Sequence, residues 1–284
     1  MLLTHRVRAR NTSADSENKI HDDATAASYG FRGGLVPGIT IYAYMTVPIV
    51  ERFGIDWLER GSMQVKFRKP FYDGEEVTVR AEADEGADGI KITLDAERED
   101  GTVCATALAT VSNHSRGLTA PPLEDYPQAP LPPPEARPVA SRESLAVGTV
   151  LGTLTETIDA VDSNLLESLD EQLPIYFGPD PVVHPFVLLG LANQVLMRNY
   201  KLAPWIHAAS DLTNWSVAHV GDEISVRGRI AECFERKGHE FAVLDLLLVA
   251  SGSRIVQQVH HAAIYLPRRI SRAGSSTTGE LNTP

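Results

Sequence analysis

Residues 74–80 read GEEVTVR, and residues 221–227 read GDEISVR. The second copy begins 147 residues after the first, at position 221 against 74. At the same offset, and without a gap, the apolar run 39–53 stands against the apolar run 186–200. Matches that keep one register over such a distance are typical of a duplicated unit. The sequence therefore predicts two copies of one fold in tandem.

Each unit is predicted to contain one enclosed helix. In the first unit, apolar residues recur every three or four positions along a segment that is apolar nearly all round, as in a buried helix: Ile39, Tyr42, Ala43, Val47 and Val50. In the second unit the corresponding run follows Pro185. Proline is tolerated in the first turn of a helix. The apolar run continues after it, so this helix is expected to be equally enclosed: Val187, Leu188, Leu191, Val195 and Leu196.

Strand signals follow each predicted helix. They cover residues 63–68, 77–79 and 90–94 in the first unit, and 224–230, 241–249 and 255–266 in the second. A strongly curved antiparallel sheet wrapped around the helix is the economical way to bury it. The predicted fold class is therefore α+β, and we expect the two sheets to join edge to edge with the two helices side by side.

Proline content marks the boundary between the units. Eight prolines lie between Ser115 and Val139, which is too many for a helix or a central strand. The predicted organisation is an N-terminal unit at 1–114, a linker at 115–139 and a C-terminal unit at 140–270. Residues 271–284 are small and polar with no apolar period, and they are expected to form a disordered tail without function.

Bulk composition excludes several classes of function. The formal net charge is −11 and no long run of lysine or arginine occurs, which argues against a nucleic acid or an anionic membrane as the main partner. The first residues turn polar after Met1-Leu2-Leu3, so no signal peptide is predicted and a cytoplasmic location is expected. Cys104 and Cys233 stand far apart, without metal-binding spacing, and are predicted to be core residues.

A polar segment before the first helix carries a recognisable motif. Residues 13–23 read SADSENKIHDD, and residues 29–31 read YGF. They resemble the MaoC-like family, whose best-known members are R-specific enoyl-CoA hydratases and whose pattern is roughly S-G-D-x-N-P-x-H-x-D, followed by G-F and by I-x-H-G-M at the helix start. Eight residues stand in matching places: Asn18, Ile20, His21, Asp23, Ala27, Gly30, Phe31 and Gly38. The resemblance implies a hotdog fold in each half, and hence a tandem double hotdog.

The chain departs from this pattern at three points. Counting back from His21 puts Ser16 where the family has its catalytic aspartate, whereas aligning residues 13–15 with S-G-D selects Asp15 and requires a one-residue insertion. Lys19 replaces the usual proline. Pro37 replaces the histidine at the helix start, while the repeat register puts His184 at that place in the second half.

The resemblance implies an acyl-thioester substrate, linked to coenzyme A or to an acyl carrier, and no metal or other cofactor. Adding water to a conjugated double bond needs one group to activate water and one to handle the proton at the α-carbon. His21 is the first candidate, with Asp15 or Ser16 as the second and Asn18 in an orienting role. Backbone N–H groups near Gly38 suit a developing enolate oxygen. We expect this polar site to lie between the halves.

Pro37 and His184 complete the predicted substrate-binding set beside Gly38. Three functions remain open: a hydro-lyase that hydrates 2-enoyl thioesters or dehydrates 3-hydroxyacyl thioesters, a non-catalytic acyl- or lipid-binding module or partner subunit of other hotdog chains, and a hotdog thioesterase. The last would place an acid on the central helix, but 39–53 has only Glu51, near its end, and 186–200 has none. A homo- or hetero-oligomer with other hotdog chains is a further expectation of the resemblance.

Overall fold

The computed structural model describes residues 1–87, 89–112 and 119–268. The first half contains β1 (Leu2–Arg8), α1 (Asp23–Ser28), α2 (Gly38–Phe53), α3 (Ile55–Arg60), β2 (Gly61–Phe67), β3 (Glu76–Gly86), β4 (Gly89–Arg98) and β5 (Val103–Ser112). The second half contains β6 (Leu154–Thr157), α4 (Ser163–Ser168), α5 (Pro185–Asn199), β7 (Ile206–Asn214), β8 (Glu223–Arg236), β9 (His239–Ala250) and β10 (Arg254–Leu266). Single 3-10 turns lie at Lys19–His21, Leu123–Asp125, Pro134–Ala136 and Pro174–Tyr176. This content confirms the predicted α+β class.

The strands of both halves form one antiparallel sheet. Within the described residues its ten strands run in the order β1-β3-β4-β5-β2-β7-β10-β9-β8-β6. Counted outward from the junction, the order is β2-β5-β4-β3-β1 in the first half and β7-β10-β9-β8-β6 in the second. Equivalent strands thus occupy equivalent places, as a duplicated unit requires. β2 and β7 join the halves, with Ser62 opposite Thr213 and Lys66 opposite Ala209. The two sheets therefore meet edge to edge, as the repeat predicts.

The central helices α2 and α5 lie against each other inside this sheet. Every residue of α2 from Thr40 to Val50 is buried, which explains why its sequence is apolar nearly all round. A buried Ile, Tyr or Met of this kind contributes about 1.5–3 kcal/mol by leaving water. The helices approach closely at Gly190 of α5, where an added Cβ would lie 3.8 Å from the Cδ1 atom of Ile39.

Two different signals start the helices. α2 begins at Gly38 after Pro37 and has no side-chain cap. α5 begins at Pro185, and the His184 side chain caps it by accepting a hydrogen bond from Phe186 N at 3.0 Å. A proline in the first helical position costs no hydrogen bond, because that N–H has no partner within the helix. The predicted first-turn role of Pro185 is therefore confirmed.

The proline-rich segment packs onto the outer face of the second sheet. Tyr126 is buried there against Leu247 and Val249 of β9. Its hydroxyl donates to the Asp245 Oδ1 atom at 2.8 Å and accepts from the Gln258 side chain at 2.9 Å. This cover explains why β9 is buried on both faces. The predicted tail at 271–284 and the predicted boundary at 114–115 lie outside the described residues.

The two cysteines differ in burial. Cys104 is buried, as predicted, whereas Cys233 is only half-buried. In the described part of the chain, no helix combines the length and the apolar composition needed to cross a membrane.

Candidate functional site

A cavity lies at the seam between the halves, at the start of α2. The first half supplies Asn18, His21, Pro37 and Gly38 to its wall, and the second half supplies Asn193, Trp205 and His207. Its volume is about 40 Å³. That is room for one or two water molecules, since a site needs at least about 10–15 Å³ to hold one. This cavity therefore lies between the halves, where the polar site is predicted.

His21 reaches this cavity because the chain turns sharply before it. Asn18 caps the turn 19–21 by accepting a hydrogen bond from Ile20 N at 3.4 Å. The His21 Nδ1 atom lies 2.7 Å from the carbonyl oxygen of Leu35. A carbonyl oxygen only accepts, so the proton of the neutral ring is on Nδ1 and the lone pair is on Nε2. The His21 Nε2 atom is thus a hydrogen-bond acceptor at the cavity.

Burial lowers the pKa of His21, and the hydrogen bond to the Leu35 carbonyl only partly offsets this effect. Taking an imidazolium ion out of water is costly, so the neutral ring is favoured inside the protein. At neutral pH the His21 ring is therefore uncharged. A neutral imidazole, with a lone pair on one ring nitrogen, is the form that accepts a proton in general base catalysis.

Asn18 connects the two halves at the same place. Its Nδ2 atom donates to the Trp205 carbonyl at 2.9 Å, and its Oδ1 atom accepts from Trp205 N at 3.1 Å. These two bonds fix which end of the amide is which. The Nδ2 atom then also faces the His21 Nε2 atom, at 3.4 Å. Asn18 therefore orients His21 from a position that the second half holds in place.

Gly38 keeps the cavity open at the start of α2. A Cβ added to Gly38 would lie 3.0 Å from the His207 Nδ1 atom and 3.2 Å from the Phe67 ring. Any larger residue would therefore fill the space beside His207. The first backbone N–H groups of a helix have no partner within it, and they point out of its N-terminal end. The cavity lies at that end of α2, next to Pro37.

His207, which the sequence did not single out, belongs to a buried chain of three polar side chains. Its Nε2 atom is 2.8 Å from the Ser210 hydroxyl, which is 3.1 Å from the His261 Nδ1 atom. The two imidazole rings are 4.3 Å apart. Burial and the neighbouring His261 hold the pKa of His207 well below its usual range, and burial lowers the pKa of His261 to about 3. Both rings are therefore neutral at neutral pH.

Three polar atoms at the cavity have no hydrogen-bond partner among residues 1–87, 89–112 and 119–268: Asn193 Oδ1, Trp205 Nε1 and His207 Nδ1. Buried polar atoms are paired in the great majority of cases, so an unpaired set around one cavity indicates a place for a ligand or for bound water. The Trp205 Nε1 atom is a hydrogen-bond donor, and the His207 Nδ1 atom is a donor in one of the two neutral tautomers. The set can hold both a carbonyl oxygen and a hydroxyl group.

Neither predicted acid position contributes to this cavity. Asp15 is exposed, and the Ser16 hydroxyl donates to the Asn18 carbonyl at 3.3 Å. Neither residue lines the cavity wall. Among the described residues of that wall, Lys69 alone carries a charged side chain. The insertion that would select Asp15 thus does not bring its carboxylate into the site.

His184 lies away from this cavity. It is buried in the second half, where its Nε2 atom is 3.5 Å from the Glu171 Oε2 atom. It lines a separate cavity of about 250 Å³. The repeat register correctly pairs His184 with Pro37, because each residue immediately precedes the central helix of its half. The two residues lie in different halves, however, and they line different cavities. No group of three or more His, Cys, Asp or Glu side chains suited to a metal occurs within the described ranges.

Comparison with known proteins identifies the fold. No protein-family model matches the sequence, and no curated protein matches it. Many solved structures resemble the chain, and three of them illustrate the range. One is a Chloroflexus aurantiacus protein provisionally described as a MaoC domain dehydratase, with 10% identity, a TM-score of 0.65 and 95% of each chain covered. Another is a conserved hypothetical protein from Mycobacterium tuberculosis with a double hotdog fold, with 15% identity, a TM-score of 0.63, and 93% of this chain and 95% of that chain covered.

The third is a provisionally assigned oleoyl thioesterase from Lactobacillus plantarum, with 12% identity, a TM-score of 0.52, and 94% of this chain and 98% of that chain covered. These likenesses, together with the ten-stranded sheet, confirm the tandem double hotdog fold predicted from the sequence. At such identities they concern the fold alone, because one fold hosts many activities.

Proposed function

We propose that this chain acts on an acyl thioester and, at the cavity between its halves, adds water to a 2-enoyl group or removes water from a 3-hydroxyacyl group, the cavity itself having room for the reacting water. The observation that carries the proposal is the state of His21. His21 lines a buried cavity at the start of a central helix, and the Leu35 carbonyl holds its ring in the tautomer whose lone pair is on Nε2, where the Asn18 amide donates to it at 3.4 Å. This is the group that water activation requires.

The proposed reaction needs one water molecule and one proton carrier. The water oxygen bonds to the β-carbon while the His21 Nε2 atom takes one of its protons, and the same proton then passes to the α-carbon. The O–H bond is replaced by C–O and C–H bonds, and the carbon–carbon double bond is lost. Negative charge that develops on the thioester oxygen is stabilised by the N–H groups at the start of α2.

His207 is proposed to hold the water in place of a carboxylate. His207 lines the cavity, and its Nδ1 atom has no hydrogen-bond partner in the part of the chain that the structure describes. When the Ser210 hydroxyl donates to His261, the His207 Nε2 atom carries the proton and its Nδ1 atom accepts from the water. When Ser210 donates to His207 instead, the Nδ1 atom becomes a donor. This hydrogen-bond chain can therefore accept from the water or donate to it during the reaction, and neither arrangement needs a buried charge.

Charge at the cavity supports an anionic carrier. Lys69 gives the wall a positive charge on a chain whose net charge is −11. Coenzyme A and the prosthetic group of acyl carrier proteins both carry phosphate, which a lysine on the wall attracts.

A non-catalytic binding module is the second candidate, and the absence of a carboxylate from the described cavity wall favours it. The thioesterase alternative has less support. Glu51 is exposed, and α5 presents the amide of Asn193 to the cavity where a thioesterase would place an acid. An amide does not activate water as a base.

The test is turnover of a panel of 2-enoyl thioesters by wild type and by His21→Ala. We expect a loss of about 10²- to 10⁴-fold, the usual contribution of a general acid–base group. Because His21→Ala also leaves the Leu35 carbonyl unpaired, folding is checked by thermal unfolding, and His21→Asn is used as a second variant. His239→Ala, which changes a histidine at the edge of the second half, is the matched control and should keep full turnover.

Asp15→Asn and Ser16→Ala test the alternatives that the sequence left open. Both should retain turnover, since neither side chain lines the cavity. A loss with Asp15→Asn would contradict the proposed role of His207. Wild-type protein that binds acyl thioesters but neither hydrates nor hydrolyses any of the panel would overturn the hydro-lyase proposal in favour of the binding module.

A further inference from the structure

The cavity at the start of α2 is too small for the carrier of the proposed substrate. Its volume of about 40 Å³ has room for the reacting water but not for the arm that holds an acyl chain. A second cavity of about 220 Å³, lined by Arg137 and Lys201 and called here the outer cavity, lies beside it, and Asn18 and Trp205 line both. Pockets that enclose a whole drug-sized ligand measure about 300–1,000 Å³, so the outer cavity is suited to one part of a longer molecule.

Two cationic side chains line the outer cavity. Arg137 is half-buried and Lys201 is exposed. Neither forms an ion pair with a carboxylate among the described residues, whereas Arg98, Arg142 and Arg254 do so elsewhere on the chain. The chain has a net charge of −11, so two cations without a counter-charge at one cavity favour an anionic ligand.

The proline-rich segment holds both cations in place. Lys201 N donates to the Pro138 carbonyl at 2.8 Å, and the Lys201 Nζ atom donates to the Glu135 carbonyl at 3.0 Å. The Arg137 Nη1 atom donates to the Met197 carbonyl at 3.3 Å. A backbone carbonyl is uncharged, so these bonds orient the two side chains and leave their positive charge without a counter-ion.

The wall of the outer cavity also lacks acceptors for two of its donors. The Arg137 Nε and Trp205 Nε1 atoms are buried and have no hydrogen-bond partner within the described residues. A guanidinium group and an indole N–H only donate, so the missing partner is an acceptor. A phosphate group offers several acceptor oxygens, and it matches the planar fork of an arginine in a bidentate pair.

Two features of the outer cavity oppose an anion. Glu17 lines it, and the carbonyl end of α5 lies there at Met197. The C-terminal end of a helix carries a negative charge equivalent to about half an elementary charge. The positive excess is therefore small and depends on both Arg137 and Lys201. Loss of either cation should remove most of the preference for a phosphate.

We propose that the outer cavity binds the phosphate of the 4′-phosphopantetheine arm by which coenzyme A and acyl carrier proteins hold an acyl chain. Arg137 and Lys201 bind the phosphate, and the arm runs past Trp205 toward His21. This inference rests on the proposed function, because such an arm comes with an acyl-thioester substrate. Arg137 also holds a carbonyl of α5, and a purely structural role of this kind predicts no dependence of binding on the phosphate.

Pantetheine and 4′-phosphopantetheine, which differ only in the phosphate, test the proposal. Binding to the full chain is measured at pH 7 by calorimetry and by ligand-observed NMR. We expect saturable binding of 4′-phosphopantetheine, at least about tenfold tighter than that of pantetheine, because only the phosphate forms charge-assisted hydrogen bonds. The preference should weaken at high salt, as screening of an exposed ionic contact requires.

Arg137→Gln and Lys201→Gln should each reduce this preference to about threefold or less, because each removes one of the two positive charges. Lys91→Gln, which changes an exposed lysine of β4 that lines neither cavity, is the matched control and should leave the preference unchanged. Because Arg137→Gln also removes the bond to the Met197 carbonyl, folding is checked by thermal unfolding, and the exposed Lys201 provides the variant that keeps the fold.

Coenzyme A, which carries further phosphates, distinguishes the two carriers. Tighter binding than that of 4′-phosphopantetheine would support coenzyme A, and equal binding would support a carrier protein. Equal binding of pantetheine and 4′-phosphopantetheine, an unchanged preference in Lys201→Gln, or no saturable binding of 4′-phosphopantetheine would each overturn the proposal. The assay needs no acyl group and no turnover. Phosphate-dependent binding without turnover would thus overturn the proposed reaction alone, and turnover without phosphate-dependent binding would overturn this site alone.

Discussion

Replacement of Asn18 by alanine tests whether the two halves are held together at the candidate site. Asn18 is buried, and its amide pairs with both the N–H and the carbonyl of Trp205, which is 187 residues away along the chain. It also receives the Ile20 N–H group. Alanine removes all of these bonds and leaves both backbone groups of Trp205 unpaired.

The expected magnitude follows from these contacts. An unpaired buried donor or acceptor costs about 1–3 kcal/mol, so two of them together reduce the free energy of unfolding by about 2–6 kcal/mol. Asn11→Ala is the matched control. Its Nδ2 atom donates to the His21 carbonyl at 2.8 Å and its Oδ1 atom accepts from Ser13 N at 3.3 Å, but both bonds lie within the first half, and each lost bond of this part-buried kind costs about 1 kcal/mol.

Denaturant unfolding, followed in parallel by tryptophan fluorescence and far-UV circular dichroism, measures the difference. Asn18→Ala should lower the midpoint more than Asn11→Ala does, with an unchanged slope, because the same surface is exposed on unfolding. The reasoning is refuted if Asn18→Ala destabilises the protein no more than Asn11→Ala.

Two further predictions concern the site and the buried histidines. Gly38→Ala should reduce turnover strongly and cost about 1–3 kcal/mol in stability, because its Cβ would lie 3.0 Å from His207 Nδ1. Gly190→Ala is the control and should keep turnover, since the nearest neighbour of its Cβ would lie at 3.8 Å. Equal kinetics for the two variants would contradict this prediction. Burial lowers the pKa of His261 to about 3 in the folded protein, against about 6.5 in the unfolded chain. Below about pH 6.5 the unfolded state therefore binds a proton that the folded state does not, and the free energy of unfolding falls with pH. Unfolding midpoints at pH 7 and pH 4.5 should differ less for His261→Gln than for wild type.

Sequence reasoning succeeds here where the relevant residues are close along the chain or are repeated. The duplicated segments at 74–80 and 221–227 predict two like units, and the edge-to-edge sheet follows from that duplication. His21 and Gly38 are only 17 positions apart, on either side of one turn, so their shared cavity could be predicted from the motif. The structure adds that Trp205 of the second half closes the same cavity.

The missed residues meet only through strand pairing. Ser210 of β7 lies opposite His261 of β10, and no local pattern links these two positions in the sequence. The alternation of a strand does predict that His260 and His261 face opposite sides, and the structure agrees: His260 is exposed and contacts Asp245, whereas His261 is fully buried. The position of Asp15 depends on the path of an exposed loop, which apolar periodicity does not determine.

The central claim is that His21 from the first half and His207 from the second half act on one bound water molecule. A double-mutant cycle in turnover of a 2-enoyl thioester tests it most directly, with His21→Gln, His207→Gln and both together. Groups that serve the same step are strongly non-additive, so the double variant should lose little more activity than the more severe single variant. Full turnover by His207→Gln, or losses that multiply in the double variant, would contradict the claim.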